Sequence, residues 1–427
     1  MRIAIIAEVF LPKIDGVVHR TVNLIRQLHG FGDEVLVVAP EAKGCKECPA
    51  PVIEFRSFPF PLYPEYRVGL PDHRLADHIK EFAPDVLHYV NPFAFGFRCY
   101  DVLHRAGLAV PTVFSFHTLY GEFVKKYHLL RPLSPLLWWL MKEYHNRADV
   151  NITVSSVMQE DLARRGFRRV RYWPPAVDGC LFHPGAKSAA MRARLAAGHP
   201  EKKLLVTVSR LAPEKNVGFL ATVLDQLPDA CLAIVGDGPQ RPELERRFAG
   251  RRANFLGYLK GAALAAAYAS ADAFVYASEM ETMGNVVLEA MASGCALVTP
   301  RAGGIPSLVN HGQTGMLFTP GDVREAVGYT RRLLTEGAFR SRLAQAARAW
   351  VEDWNWSHSI DKVRAIYQES IDLYQRATRQ RTYRQGLAQL VMSGLVSGFR
   401  SVGSARDLAR RGKPAKNGRA SPVLVSP

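Results

Sequence analysis

Two short stretches hold residues whose types and spacing could do chemistry. In Ser209-Arg210-Leu-Ala-Pro-Glu-Lys215-Asn216, a guanidinium and an ammonium stand five residues apart between an apolar run and a predicted helix. Arg donates in a planar, bidentate fork, Lys supplies a mobile point charge, and a helix start adds unpaired N–H groups, so the set suits an anion the size of a diphosphate. In Glu279-Met-Glu281-Thr-Met-Gly284-Asn-Val-Val-Leu-Glu289-Ala-Met-Ala-Ser-Gly294, two carboxylates have seven residues between them. Glu289 falls among Val286, Val287, Leu288, Ala290, Met291 and Ala292, so it is expected to be buried and to need a hydrogen-bonding partner. Plainer readings stand beside these. Arg210 and Lys215 could be solvated loop cations, Glu289 could pair with an Arg, and Glu281 could be a first-turn carboxylate favoured by the helix dipole.

The elements that must position these groups alternate along the chain. Arg2–Ala7 is a continuous apolar run of the kind buried on both faces of a parallel sheet. A loop with Pro12, Asp15 and Gly16 comes next, then apolar residues at helical spacing over Val17–His29, then a second strand, Glu34–Ala39. Strands are predicted at Asp85–Val90, Pro111–Ser115, Val150–Val154 and Val170–Trp173, with helical segments at Arg74–Phe82, Phe95–Ala106 and Leu119–Asn146. A second series runs from Leu204–Ser209 through strands at Cys231–Val235, Asn254–Leu256, Ala273–Ala277 and Ala296–Thr299. Its helices are Val217–Leu227, Pro242–Phe248, Ala262–Ser270 and Asn285–Ser293. The pattern predicts an α/β protein with a parallel sheet in each half. Ligands of such sheets bind at the carboxyl ends of strands, which is where both stretches fall.

Length and charge bound the rest. At 427 residues the chain is long for one core, and two domains are expected. The formal net charge is +16, but the 11 Lys plus Arg between Arg376 and Pro427 against the single acid Asp407 put +10 in the tail and leave +6 for the first 375 residues. A basic tail of this kind points to an anionic surface such as a membrane leaflet; a nucleic-acid partner is not expected. The six cysteines are too few and scattered for a disulfide framework, and the Cys45-x-x-Cys48 pair lacks the partners of a metal finger. No apolar run of about 20 residues and no leader pattern is visible, so a cytoplasmic protein is expected. The boundaries read as a first domain at 1–177, a linker at 178–202 rich in Gly and Pro, a second domain at 203–354, a helix at 355–377 packing back on the first domain, and a basic, partly disordered tail at 378–427.

The ETMGNVVLEAMASG segment, with SRLAPEKN and VGDGP (Val235–Pro239) upstream, FLGYL (Phe255–Leu259), HGQTG (His311–Gly315) downstream and EVFLPKIDGVVHRT near the start, resembles the retaining nucleotide-sugar glycosyltransferases of family four. The EVFLPKIDGVVHRT stretch looks like the first loop and helix of that family's lipid-directed members, which include α-mannosyltransferases and the sulfoquinovosyl-diacylglycerol synthases. The resemblance covers about residues 1–375 and implies the GT-B architecture, two facing Rossmann-like domains with a cleft between them. It implies that Arg210 and Lys215 stabilise the departing nucleoside diphosphate and that Glu289 holds ribose hydroxyls. Glu281 and the amides of Met283, Gly284 and Asn285 would contact the donor sugar and phosphates. Gly236, Tyr258 and Leu259 would line the donor site, Gly16 would let the first loop approach the phosphates, and His117 would stand near the sugar, unless it is only a satisfied polar residue at a strand end. Glu281, His117, Arg210 and Lys215 are thus the implied catalytic group. Two departures stand out: Val17 where many relatives have a second glycine, and Pro175-Ala-Val-Asp178 where others read Asn-Gly-Val-Asp.

The function this resemblance implies is that of a retaining transferase that needs no cofactor and no divalent ion, since the cations would carry the diphosphate charge and no Asp-x-Asp occurs. GDP-mannose is the first expected donor and UDP-hexoses the next, with a polysaccharide or other glycan as the alternative acceptor. For a lipid or glycolipid acceptor, Tyr120–Met141 interleaves Lys125, Lys126 and Arg131 with Trp138 and Trp139. In the tail, Leu387, Leu390, Val391, Leu395 and Phe399 share a helical face, and both segments suit an anionic membrane interface. A nicotinamide oxidoreductase is disfavoured because the loop after the first strand lacks G-x-G-x-x-G. A nucleotide-sugar 2-epimerase and a non-catalytic sugar-binding or membrane-scaffold protein are the rival readings. No oligomeric state is legible.

Overall fold

The computed structural model describes residues 1–13, 15–41, 48–60, 63–118, 120–123 and 131–380. Cys45, Lys125, Lys126 and the predicted tail helix lie outside these residues; Cys48 is disulfide-bonded. Residues 1–371 form one compact unit, and 372–380 are helical.

In chain order the elements of the first half are β1 (Arg2–Ala7), α1 (Gly16–Gly30), β2 (Glu34–Pro40), β3 (Val52–Phe55), β4 (Ser57–Phe60), β5 (Tyr63–Gly69), α2 (Arg74–Phe82), β6 (Val86–Val90), α3 (Ala94–Arg105), β7 (Thr112–Phe116), α4 (Tyr120–Phe123), α5 (Ser134–His145), β8 (Val150–Thr153), α6 (Ser156–Arg164) and β9 (Val170–Tyr172). Those of the second half are α7 (Ala189–Ala196), β10 (Lys203–Val208), α8 (Phe219–Asp225), β11 (Ala230–Val235), α9 (Arg241–Arg247), β12 (Ala253–Gly257), α10 (Gly261–Ser270), β13 (Ala273–Val275), α11 (Asn285–Ala292), β14 (Leu297–Pro300), β15 (Met316–Phe318), α12 (Val323–Thr335) and α13 (Gly337–Val351).

The strands form two parallel sheets, ordered β3-β2-β1-β6-β7-β8-β9 and β12-β11-β10-β13-β14-β15, with β4 and β5 pairing as a separate antiparallel hairpin. In each sheet the chain reverses its direction of winding beside the first strand laid down, between β1 and β6 and between β10 and β13. At such a switch point the flanking loops diverge and leave a crevice at the strands' carboxyl ends. The apolar runs form sheet interiors because helices cover both faces. Along β10 and β11, Leu204, Val206, Val208, Cys231, Ala233 and Val235 point to the face covered by α10, α11 and α13. Leu205, Leu232 and Ile234 point to the face covered by α8 and α12. Each fully buried Leu or Val contributes about 2 kcal/mol.

A helix over 356–371 returns to the first sheet. Tyr367 Oη lies 2.7 Å from His88 Nδ1, Trp173 Nε1 donates to Ser359 Oγ at 2.8 Å, and Arg364 Nε donates to Asp33 Oδ2 at 2.9 Å. His88 is fully buried, and desolvation pushes its imidazole down to about 3, so it is neutral in this network.

Four details differ from expectation. Residues 178–202 are not all linker: α7 lies within them, its Leu195 and Ala196 buried in the second domain's core. Within the segment read as one helix over 119–146, the described residues include α4, a 3-10 turn at Arg131–Leu133 and α5, whose start is set by Pro132 and Pro135. The hairpin β4–β5 was not foreseen, since Pro59 and Pro64 argue against strands except at edges. The helix start expected beside Lys215 begins only at Phe219, because Pro213–Lys215 is a 3-10 turn closed by Asn216 in the left-handed region (φ 50°).

Candidate functional site

The exits of β1, β7, β10 and β13 face one cleft of about 1440 Å³. Its walls include Gly16, His117, Arg210, Lys215, Gly236, Tyr258, Leu259, Glu281, Met283, Gly284, Asn285 and Glu289, so residues up to 273 positions apart in sequence are brought to one place.

On the second-domain wall, Lys215 Nζ donates to Glu281 Oε1 at 2.5 Å, and Tyr276 Oη donates to the same oxygen at 2.6 Å. Burial alone would raise the Glu281 carboxyl, but the Lys215 charge and hydrogen bonds from Lys215, Tyr276 and Ser278 outweigh it and hold the group below its usual range. Glu281 is therefore an anion in the resting protein, and Lys215 is already oriented along the cleft wall. Arg210 lies 3.8 Å from Glu214, four residues along. Each cation thus has a carboxylate to set its position and still presents N–H groups to a ligand, since an ammonium carries three donors and a guanidinium five.

Glu289 lies in the second turn of α11. Its partner is Tyr268 of α10, whose Oη donates to Oε2 at 2.9 Å, and not an arginine. Desolvation pushes the carboxyl up to about 7, with the Tyr268 hydrogen bond opposing the shift. A carboxylate this poorly compensated gains most from neutral donors such as vicinal hydroxyls. Met283, Gly284 and Asn285 form the turn into α11, where Gly284 has φ 89°.

Glycine is required here by close packing. A Cβ on Gly236 would stand 1.8 Å from the Ser209 carbonyl oxygen, and one on Gly303 would stand 2.3 Å from the Glu281 carbonyl oxygen. A Cβ on Gly16, the first residue of α1, would meet Asn285 Nδ2 at 3.3 Å across the cleft. Tyr258 is half exposed and donates through Oη to the Asp237 carbonyl at 3.1 Å.

On the first-domain wall, the His117 amide donates to Asn91 Oδ1 at 3.1 Å, and its Nε2 lies 3.0 Å from Ser115 Oγ. His88 Nε2 meets the same hydroxyl at 2.9 Å. One hydroxyl donates a single hydrogen, so one of the two ring nitrogens must donate to Ser115. Burial, with the Arg20 charge adding to it, holds His117 well below its usual pKa. Thr282 Oγ1 donates to the His117 carbonyl at 2.7 Å, tying the two domains together at the cleft floor.

Several groups escaped sequence reasoning. Glu8 is fully buried and accepts from the amides of Phe93, Phe95 and Gly96 and from Tyr66 Oη, which locks the exit of β1 to the start of α3 and to the hairpin. Arg20 is buried on the cleft wall. The adjacent tryptophans of α5 divide: Trp138 Nε1 donates to Glu122 at 3.2 Å beneath Arg165, while Trp139 is 55% exposed beside exposed Leu136 and Leu133. Only the i, i+3 and i+4 geometry of the helix, once its start is known, separates the two. Among the described residues, no helix is long and apolar enough to cross a membrane.

Comparisons with known proteins match this geometry. Residues 14–179 match the model of Glycosyltransferase Family 4, and residues 202–336 that of Glycosyl transferases group 1. The chain is 38% identical over 359 residues to the sulfoquinovosyl transferase of Arabidopsis thaliana, covering 82% of this chain and 70% of that protein. It is 32% identical over 381 residues to a GDP-mannose-dependent alpha-mannosyltransferase of Corynebacterium glutamicum, covering 88% and 91%. It is 27% identical over 350 residues to the alpha-monoglucosyldiacylglycerol synthase of Acholeplasma laidlawii, covering 74% and 85%. Among solved structures, Anabaena HepE in complex with UDP and glucose superposes with a TM-score of 0.69 at 20% identity, covering 86% of this chain and 99% of that one, which supports the fold. Two facing Rossmann-like sheets, a cleft at their switch points and these relatives make the chain a hexosyltransferase that belongs to the family-four glycosyltransferases of GT-B fold.

Proposed function

We propose that the protein transfers a hexosyl group from a nucleoside-diphosphate sugar to a membrane-lipid acceptor, with retention of anomeric configuration and without a divalent ion. The observation that carries this reading is the convergence of Arg210, Lys215, Glu281 and Glu289 on one wall of the cleft, opposite Gly16 and His117. Glycosyl transfer passes through an oxocarbenium-like state while negative charge grows on the leaving diphosphate. Arg210 and Lys215 would stabilise that charge where it develops, the interaction from which catalysis gains most. Glu289 would accept from the ribose hydroxyls, and Glu281 would hold both Lys215 and a sugar hydroxyl. The acceptor hydroxyl would attack from the face of the departing phosphate, whose oxygen takes the proton.

A lipid acceptor is favoured by the relatives, one named for alpha-monoglucosyldiacylglycerol synthesis. It is favoured also by the apolar surface on the first domain, where Leu133, Leu136 and Trp139 are exposed near Arg131 at the cleft wall. Aromatic and cationic side chains together suit the headgroup layer, so peripheral membrane association from the cytoplasmic side is part of the proposal. GDP-mannose is the donor that relatives such as the Corynebacterium glutamicum enzyme suggest.

The test is incubation with UDP- and GDP-linked hexoses and vesicles of diacylglycerol and phosphatidylinositol, in the presence of EDTA, with the product's anomeric configuration read by NMR. An α-linked glycolipid formed from an α-donor at undiminished rate is expected, with binding to anionic vesicles that weakens as salt rises. Release of free epimerised sugar in place of a glycolipid would establish the epimerase reading instead, and an inverted product would remove the mechanism.

A further inference from the structure

Arg20 is a buried cation that no carboxylate balances among the described residues. It lies in the second turn of α1, is 1% exposed, and forms part of the cleft wall. Its guanidinium packs flat on Trp173, with Cζ 3.8 Å from the ring centroid. Nη2 donates to the Pro174 carbonyl at 2.9 Å, Nη1 faces the Met283 sulfur at 2.8 Å, and Nε has no hydrogen-bond partner among the described residues. A thioether is a weak acceptor, so two of the three nitrogens are left poorly served. Burial pulls the guanidinium down to about 9, with Tyr172 opposing the shift. A buried charge in this condition is costly unless an anion reaches it, and among the described residues the chain supplies none.

The position of Arg20 says what the anion belongs to. The diphosphate cations, Arg210 and Lys215, stand on the second-domain wall. Arg20 stands on the first-domain wall beside His117, whose ring packs edge-on against the same Trp173 at 5.7 Å, and it reaches across to Met283 at the turn into α11. Both His117 and Met283 line the cleft, and the family resemblance implies that His117 stands near the sugar and that the Met283 amide is among the donor-sugar and phosphate contacts. We propose that Arg20 is a specificity-determining residue that receives an anionic substituent, a sulfonate or a carboxylate, carried by the transferred hexose. The inference rests on the reading of the cleft as a nucleotide-sugar site and adds the class of sugar it takes. Such a group offers oxygens in a plane or a tripod, matching the donors that Nε and Nη1 present, and the ring of Trp173 and the two carbonyl contacts hold the guanidinium in place without neutralising it. The sulfoquinovosyl relative from Arabidopsis thaliana is named for transfer of a sulfonated sugar, in keeping with this chemistry.

A phosphate on the acceptor headgroup would present similar oxygens, and the experiment separates the two sources. Calorimetry on the full chain compares UDP-glucose with UDP-glucuronate and UDP-sulfoquinovose, GDP-mannose with GDP-mannuronate, and UDP and GDP alone, each with and without glycerol phosphate as a headgroup probe. The expected result is that at least one anionic donor binds about tenfold or more tighter than its neutral counterpart. That ratio collapses toward one in Arg20→Gln and is partly kept in Arg20→Lys, and glycerol phosphate does not compete. Equal affinity for neutral and anionic donors in the unmodified protein overturns the inference without needing any variant to fold. Glycerol phosphate binding that is lost in Arg20→Lys or Arg20→Gln while donors are indifferent to charge assigns Arg20 to the acceptor and overturns it too. If no nucleotide binds under any condition, the function proposed for the cleft fails first, and the inference with it.

Discussion

Replacing Glu289 by Gln should make the protein more stable at pH 8 and abolish the pH dependence of nucleotide binding. The carboxyl stands near 7 in the folded chain and would titrate near 4.5 when solvated. Folding thus raises its pKa, so the native state keeps the proton longer than the unfolded state does. Its contribution is fully present below 4.5 and is lost as pH rises through about 7. The gap corresponds to roughly 3 kcal/mol of destabilisation at pH 8, and to about 1 kcal/mol at pH 5. Gln keeps an oxygen to accept from Tyr268 Oη and never ionises, so the variant's advantage should grow by about 2 kcal/mol between pH 5 and pH 8. Thermal unfolding of both proteins across this range, without nucleotide, measures that difference. Binding has the opposite sign. Ribose hydroxyls would favour the ionised carboxylate, so affinity should fall up to about tenfold per pH unit below 7 in the unmodified protein and stay flat in the variant. Parallel stability curves for the two proteins would refute the account of Glu289 as a desolvated carboxylate awaiting hydroxyl donors.

Lys215→Met leaves Glu281 buried without its cation and should cost about 2–3 kcal/mol in chemical denaturation; the double variant Lys215→Met/Glu281→Gln should recover most of that. Both should lose turnover by about a hundredfold or more, and near-normal turnover in either would remove the pair from the catalytic group. Gly236→Ala places a methyl group against the Ser209 carbonyl at a φ of 131°, so the Ser209–Arg210 exit of β10 must shift. Nucleoside-diphosphate affinity should fall at least about tenfold with circular dichroism unchanged, and unaltered affinity would show that the β10 exit does not contact the diphosphate.

The alternation of apolar runs with helical spacing was enough to anticipate two parallel sheets, because strands buried on both faces need uninterrupted hydrophobic residues and leave little room for other readings. Arg210, Lys215, Glu281 and Glu289 were legible for a related reason. A charge at a strand exit, or a carboxylate inside an apolar helix, is hard to place unless it has a partner or a ligand. Elements whose local signals are weak were harder to see. The α7 sequence AAMRARLA has little amphipathic contrast and sits among Gly and Pro, and the hairpin β4–β5 carries prolines that usually exclude strands.

Residue types and their order decided the layered architecture, the location of the cleft at the strand exits and most of its polar inventory, since each depends on periodicity and on which groups tolerate burial. The pairings were decided only when the chain closed on itself. Tyr268 supplies the hydrogen bond to Glu289, Thr282 ties to His117 from 165 positions away, and Arg20 is enclosed by Trp173 and Met283. On α1 alone, Arg20 stands next to His19 and reads as part of a solvated face. It becomes a buried charge because residues about 150 and 260 positions downstream cover it. Desolvation and Coulomb energies depend on everything packed around a group, and that environment is assembled from distant segments whose proximity no local pattern encodes.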